Sequence, residues 1–172
     1  MELYDKDSDA VLSADELKNV PGILFSIDEI DKDGDKRVTL QEFTDRLQYH
    51  ADRKVGLMSV NVIVMLNGRP LKDATVVLEP EPFMSDAYKP AEGVTDMFGT
   101  AYPTLSESDL PKIDPPVSGV RAGFYKIRVT YQHKGKQVLP ARYNTETELG
   151  AEIVPGAEKL RSGQIRLNLR RK

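Results

Sequence analysis

Two periodicities divide the chain. In the first part apolar residues recur at helical spacing: Ile23, Leu24, Ile27 and Ile30 fall on one helix face, and Leu40, Phe43 and Leu47 on another. From Met58 the pattern changes to alternation. Val60, Val62, Val64 and Leu66 share one parity before an Asn67-Gly68 turn, and Thr75–Glu79 reads as a second strand ended by Pro80 and Pro82. Residues 83–95 read as a loop, Thr95–Gly99 as a tight turn, and residues 104–121, with three prolines, as surface chain. The clearest strand is Phe124–Tyr131, with Tyr125, Ile127, Val129 and Tyr131 on one face, and Lys134-Gly135 turns the chain after it. Ala151–Val154 and Gln164–Leu169 alternate again, the latter with Ile165, Leu167 and Leu169 inward. No helix is predicted beyond residue 57. The pattern therefore predicts an α+β chain of two domains: a small all-α unit over residues 1–54 and an all-β sandwich over residues 55–172, joined by a hinge at residues 51–57.

The polar positions of the first part are as regular as the apolar ones. Ser13 with Glu16, and Thr39 with Glu42, have the spacing of capping boxes that open helices, and Pro21-Gly22 is expected to stop the first of these. Each glutamate also closes a twelve-residue window. Asp31, Asp33 and Asp35 stand at positions 1, 3 and 5 of one window, and Asp5, Asp7 and Asp9 at the same positions of the other. That is the spacing by which a single loop surrounds Ca2+ with oxygen ligands. Val11 and Arg37 would offer backbone carbonyls, Ser13 and Thr39 a hydroxyl directly or through water, and Glu16 and Glu42 both carboxylate oxygens. Leu12 and Val38, at equivalent positions, are expected to face each other. Recurrence in register separates this pattern from an accidental acidic loop and predicts two Ca2+ sites.

These windows resemble the EF-hand family over about residues 2–51. The family has glycine at loop position 6, where the backbone turns with φ near or above zero; here Ala10 and Lys36 stand there. A β-carbon in that conformation costs roughly 1 kcal/mol, so weakened binding is expected, with all four carboxylates of each loop retained. Met1–Tyr4 is too short for a full entering helix, which implies a truncated first hand or a piece of a longer protein. The loops begin 26 residues apart, a compact spacing similar to that of paired hands in bacterial exported proteins. The second part resembles transthyretin-like (prealbumin-like) domains over about residues 58–169, and more narrowly their carboxypeptidase regulatory-like branch. The resemblance rests on residues 67–77, on Thr95, Asp96 and Gly99, and on residues 123–129; Asp73 stands where that branch often has glycine, and Phe124 adds an aromatic. It implies a β-sandwich of the kind found on bacterial surface and exported proteins, and little about function.

Composition narrows the classes that remain. The 172 residues are 40% hydrophobic, with no apolar run near the ~20 residues needed to span a bilayer. Met1 leads straight into the first loop, so an export signal, if there is one, is expected to lie outside this chain. The absence of cysteine excludes disulfides and thiolate chemistry and leaves the compartment open. Residues 1–54 hold 14 acidic and 8 basic side chains, whereas residues 55–172 hold 13 and 16. The acidic excess is accounted for by the loops. The basic excess is too diffuse for nucleic acid, and Arg170, Arg171 and Lys172 read as a solvated terminus.

No hydrolase or phosphate-loop motif is present, and the only histidines, His50 and His133, read as surface residues. Hydroxyisourate hydrolases share the transthyretin fold, but their C-terminal Tyr-Arg-Gly-Ser is replaced here by Leu-Asn-Leu-Arg-Arg-Lys. Tyr125, Tyr131 and Tyr143, with Arg128 and Arg142, read either as edge-of-core residues or as a groove for carbohydrate or peptide. The expectation is a non-enzymatic secreted, periplasmic or cell-surface protein in which Ca2+ stabilises a structural or adhesive module. Its expected partners are calcium ions and an extracellular protein or polysaccharide, with no nucleic acid and no transmembrane segment. A dockerin-like interaction device and a carbohydrate-binding accessory domain of a larger secreted protein are the alternatives.

Overall fold

The computed structural model describes residues 3–113, 116–160 and 162–171. Its first part holds β1 (Val11–Leu12), α1 (Ala14–Leu17), α2 (Pro21–Phe25), α3 (Ile27–Ile30), β2 (Val38–Thr39) and α4 (Leu40–Arg53). Ser13 and Thr39 cap α1 and α4, each in a reciprocal box with the glutamate three residues on. Pro21-Gly22 does not simply end a helix as expected. Pro21 opens α2 at the first helical position, where its fixed φ suits the helix and its missing N–H is not needed. The predicted face from Ile23 to Ile30 is split at Ser26 into α2 and α3, with Ile23 and Ile30 buried and Leu24 and Ile27 half-buried. On α4 the buried residues are Phe43 and Arg46, while Leu40 and Leu47 are 55% and 38% exposed. The helix also takes up the start of the predicted hinge, ending at Arg53 with Lys54 in the left-handed region at φ 46°.

The remaining strands are β3 (Leu57–Met58), β4 (Asn61–Leu66), β5 (Arg69–Pro70), β6 (Thr75–Pro80), β7 (Ala91–Val94), β8 (Thr100–Ala101), β9 (Thr104–Leu105), β10 (Val120–Arg121), β11 (Gly123–Thr130), β12 (Gln132–His133), β13 (Lys136–Gln137), β14 (Gly150–Ile153) and β15 (Gln164–Leu169). Single 3-10 turns form at Ala141–Tyr143 and Glu158–Leu160. A five-stranded antiparallel sheet runs β14-β11-β6-β7-β9. A second sheet is built on β4, which pairs antiparallel with β5 and β8 and parallel with β15. Asn67 and Gly68 have φ of 51° and 78°, the two positive values that a tight hairpin turn between β4 and β5 requires. The inward residues of the two sheets, Val62, Val64, Ile165 and Leu167 from one and Val76, Leu78, Ile127 and Val129 from the other, belong to one core. The fold is thus mixed, with four short helices and mainly antiparallel sheets among the described residues. Three strands escaped the sequence pattern: β7 lies inside the expected loop 83–95, and β9 and β10 bracket the expected surface run 104–121, of which residues 114 and 115 lie outside the described residues. These strands are too short for alternation to show, and they form because β6, β7 and β3 offer edges to pair with.

The helices pack on the outer face of the five-stranded sheet, with α2 against β14 and β11. Phe124 points to the face opposite Tyr125, as strand geometry demands, and joins Tyr4, Leu12, Leu17, Val20, Ile23, Ile30, Val38 and Phe43 in a second core. Phe83 stands edge-on to Phe43 with ring centroids 5.3 Å apart, and Phe43 lies 6.1 Å from Phe124. At Gly150 a β-carbon would lie 2.1 Å from the Pro21 carbonyl carbon, so only glycine lets α2 approach β14 this closely. Residues on both sides of position 54 therefore contribute to one apolar core. His50, read from the sequence as a surface residue, sits in this junction. Its ring packs on Phe124 with centroids 5.0 Å apart, and its Nε2 lies 2.5 Å from Glu152. His133 is exposed, as expected.

Candidate metal centre

The two acidic loops follow one backbone path. Position 4 is left-handed in each, at Ser8 (φ 60°) and Gly34 (φ 80°), and so is position 6, at Ala10 (φ 66°) and Lys36 (φ 63°). The strain expected at position 6 is therefore present, and the glycine of the second loop occupies position 4. Acidic side chains hold the turns. Asp5 accepts from the Asp9 and Ala10 amides at 3.2 and 2.9 Å, and Asp31 from those of Gly34 and Lys36 at 2.7 and 2.8 Å. Asp9 and Asp35 each accept from the amide two residues on, at 2.9 and 2.7 Å. As a result one carboxylate oxygen from each of Asp5, Asp7 and Asp9 lies within 4.8 Å of the others, and the same holds for Asp31, Asp33 and Asp35.

Each loop is closed by its glutamate reaching back from the helix start. Glu16 Oε1 accepts from the Lys6 amide at 2.6 Å and Oε2 from the Ser13 amide at 2.9 Å. Glu42 repeats this with Lys32 at 2.7 Å and Thr39 at 2.9 Å. Each glutamate thus ties position 2 of its loop to position 9. The hydroxyls of Ser13 and Thr39, expected as direct or water-mediated ligands, donate to these glutamates at 2.7 and 2.8 Å. Hydrogen bonds from the Ser13 hydroxyl and from the Lys6 and Ser13 amides hold the Glu16 carboxyl down at about 2. Burial pushes the Glu42 carboxyl up, but the Thr39 and Lys32 amides and the Thr39 hydroxyl outweigh it and leave it below its ordinary value. Both are therefore ionised at neutral pH, the state in which a carboxylate binds a cation.

The loops are tied side by side. β1 pairs with β2, setting Val11 opposite Thr39 and Leu12 opposite Val38, with both Leu12 and Val38 fully buried. Arg37, singled out from the sequence only for its carbonyl, also reaches across to Asp9, with Nη2 2.6 Å from Oδ2. The pair is about half exposed, so its contribution to stability is small. The one sign of it in the sequence is a cation at position 7 of one loop and an anion at position 5 of the other. In sum, each loop brings three carboxylates into one small volume, with the glutamate at the helix start bonded to the amides of loop positions 2 and 9. An all-oxygen, anionic donor set suits a hard divalent cation.

The other candidates lie elsewhere. Tyr125 and Tyr143 are core residues: the Tyr125 hydroxyl donates to the Arg121 carbonyl at 2.8 Å, and the Tyr143 hydroxyl accepts from the Arg170 amide at 3.1 Å. Arg128 is held by Glu79 and by the Asn144 carbonyl. Among the described residues no helix is long and apolar enough to cross a membrane. No protein-family model matches the chain, and no curated protein matches it.

Proposed function

We propose that this is a non-enzymatic calcium-binding protein of the exported or cell-surface kind, in which two Ca2+ ions hold an EF-hand pair against a transthyretin-like β module. The observation that carries the reading is the repetition. Two loops 26 residues apart share the same left-handed positions, the bonds from the position 6 amide to the position 1 aspartate and from the position 7 amide to the position 5 aspartate, and the same back-reaching glutamate, with their aspartates converging. Asp5, Asp7, Asp9 and Glu16 would hold one ion, with the Val11 carbonyl and Ser13 completing the set. Asp31, Asp33, Asp35 and Glu42 would hold the other, with the Arg37 carbonyl and Thr39. Without an ion, the three clustered aspartates of each loop repel one another, so the ion's role is to stabilise. Millimolar extracellular calcium would fill even loops weakened at position 6.

A stabilising role, and not a switching one, is supported by the helical part's lack of methionine between residues 2 and 57 and by the cover that Phe83 and Phe124 place over its apolar side. Calorimetry on metal-stripped protein should show two calcium sites, with Glu16→Gln and Glu42→Gln each removing one. No uptake at 5–10 mM calcium, roughly ten times the weak end for extracellular modules, would overturn the reading.

A further inference from the structure

Arg46 stands between the second loop and the β module, and it is bonded to both. α3 leads into Asp31, and Glu29 lies on it two residues before that first carboxylate. α4 begins at the loop's end, and Arg46 lies on it four residues after Glu42. The conformation of the loop therefore sets how α3 and α4 lie against each other. Arg46 Nη2 bridges the two helices to Glu29 Oε2 at 2.9 Å, and the same guanidinium holds Glu152 on β14, with Nε and Nη2 both at 2.7 Å. Glu29 spends its other oxygen on the Glu158 amide at 2.9 Å, a second tie across the junction. Arg46 is 8% exposed and Glu152 not at all, so neither has water to turn to if the bridge opens. A cleft of roughly 130 Å3 is lined by Lys32 and Glu42 of the loop and by Glu29, Arg46 and Tyr49 of the bridge, which makes the two sites neighbours. Phe43, the residue after Glu42, packs on Phe83 and Phe124.

We propose that cation binding in the second loop and docking of the helices on β14 are coupled through the Glu29–Arg46–Glu152 bridge, each strengthening the other. The proposal rests on the calcium reading of the loops and adds to it a route and a consequence. With the loop closed on an ion, α3 and α4 hold Glu29 and Glu152 on opposite sides of one guanidinium. With the loop sprung open by its own carboxylates, Glu29 moves off. The guanidinium is then left with one partner in place of two, and Glu158 loses its acceptor. A buried ion pair is costly to leave half-made, and that cost is what docking returns to the loop as affinity. Coupling of this kind is reciprocal: whatever the ion adds to docking, docking adds to ion binding.

The test is calcium calorimetry on the full chain, comparing the wild type with Glu152→Gln, whose side chain touches no candidate ligand. The variant should bind calcium about fivefold or more weakly at one site. Because Glu152→Gln leaves the buried Arg46 with Glu29 as its one carboxylate and can by itself unfold the chain, the double variant Arg46→Met/Glu152→Met is measured beside it. Apolar replacement of both partners keeps the packing while removing the bridge, and the same loss of affinity is expected. Amide exchange at Gly150–Ile153 in the wild type should also slow on adding calcium. Uptake by the folded double variant within about twofold of the wild type overturns the coupling alone. A wild type that takes up no calcium overturns the reading of the loops and the coupling with it.

Discussion

Arg46 of α4 grips both carboxylate oxygens of Glu152 on β14, Nε to Oε1 and Nη2 to Oε2, each at 2.7 Å and across 106 residues of chain. Such a fork-on-carboxylate pair has one favourable geometry and so fixes the position of the helix as well as holding it. Burial alone would push the Glu152 carboxyl up, but His50 and Arg46 outweigh it and hold the group below the ordinary carboxylate range. Glu152→Gln or Arg46→Met alone should cost about 3–5 kcal/mol, and the paired change to methionine should recover most of it. Urea unfolding of the three variants tests this, and single variants with unchanged midpoints would show that the pair contributes nothing. Since the folded Glu152 carboxyl is depressed, its stabilisation is present above the unfolded value and is lost as pH falls through the folded one.

Glu81 titrates with the opposite sign. It is buried beside the start of α2, with Oε1 accepting the Gly22 amide at 2.9 Å and Oε2 without a hydrogen-bond partner among the described residues, 3.8 Å from Lys126 Nζ. Burial pushes its carboxyl from 4.5 up to about 7, against the pull of Gly22 and Lys126 and with a further push from Glu79. The folded protein therefore binds this proton more tightly than the unfolded chain. Its contribution is full below the unfolded value of 4.5 and is lost as pH rises through about 7. Glu81→Gln keeps an acceptor for Gly22 and removes the charge. It should flatten this part of the pH–stability curve and raise stability near pH 8 by about 1–3 kcal/mol. Urea midpoints that fall on substitution at that pH would show that the charge is satisfied.

Ala10 and Lys36 sit at φ of 66° and 63°, where a β-carbon is strained. Ala10→Gly and Lys36→Gly should each tighten calcium binding by about 1 kcal/mol, near fivefold, and Lys36→Gly also removes a cation from the loop. Calorimetry on each variant is the check, and weaker binding in either would show that the side chain serves the loop.

Gly150 and Gly56 make a matched pair of substitutions. A β-carbon at Gly150 would meet the α2 backbone at 2.1–2.4 Å, whereas at Gly56 it meets nothing within 4 Å. Gly150→Ala should destabilise the chain by about 3 kcal/mol or more, because a rigid backbone must move aside. Gly56→Ala should stay within about 0.5 kcal/mol of the wild type. Equal urea midpoints for the two variants would mean that the helices can lift off β14 without loss.

Features whose causes lie within a dozen residues were legible before any tertiary contact was known. The aspartate and glutamate spacing, the capping boxes at Ser13 and Thr39, the apolar residue at position 8 of each loop, and the inward parity of β4, β11 and β15 are all local patterns. Their geometry follows from the turn of a loop, the pitch of a helix or the alternation of a strand. What the tertiary structure decided has a partner far along the chain. Leu40 and Leu47 look like a buried stripe, yet α4 turns Phe43, Arg46 and His50 inward because Phe124 and Glu152 wait there. Phe124 reads as an extra aromatic on the wrong face of its strand until a second layer covers that face. The burial of Glu81 and Glu152 and the parallel partnership of β15 with β4 leave no mark in the local pattern. Periodicity tells which residues share a face. Which face is buried, and which charge gains a partner, depends on what packs against it, and the free energy of that contact belongs to two distant segments together.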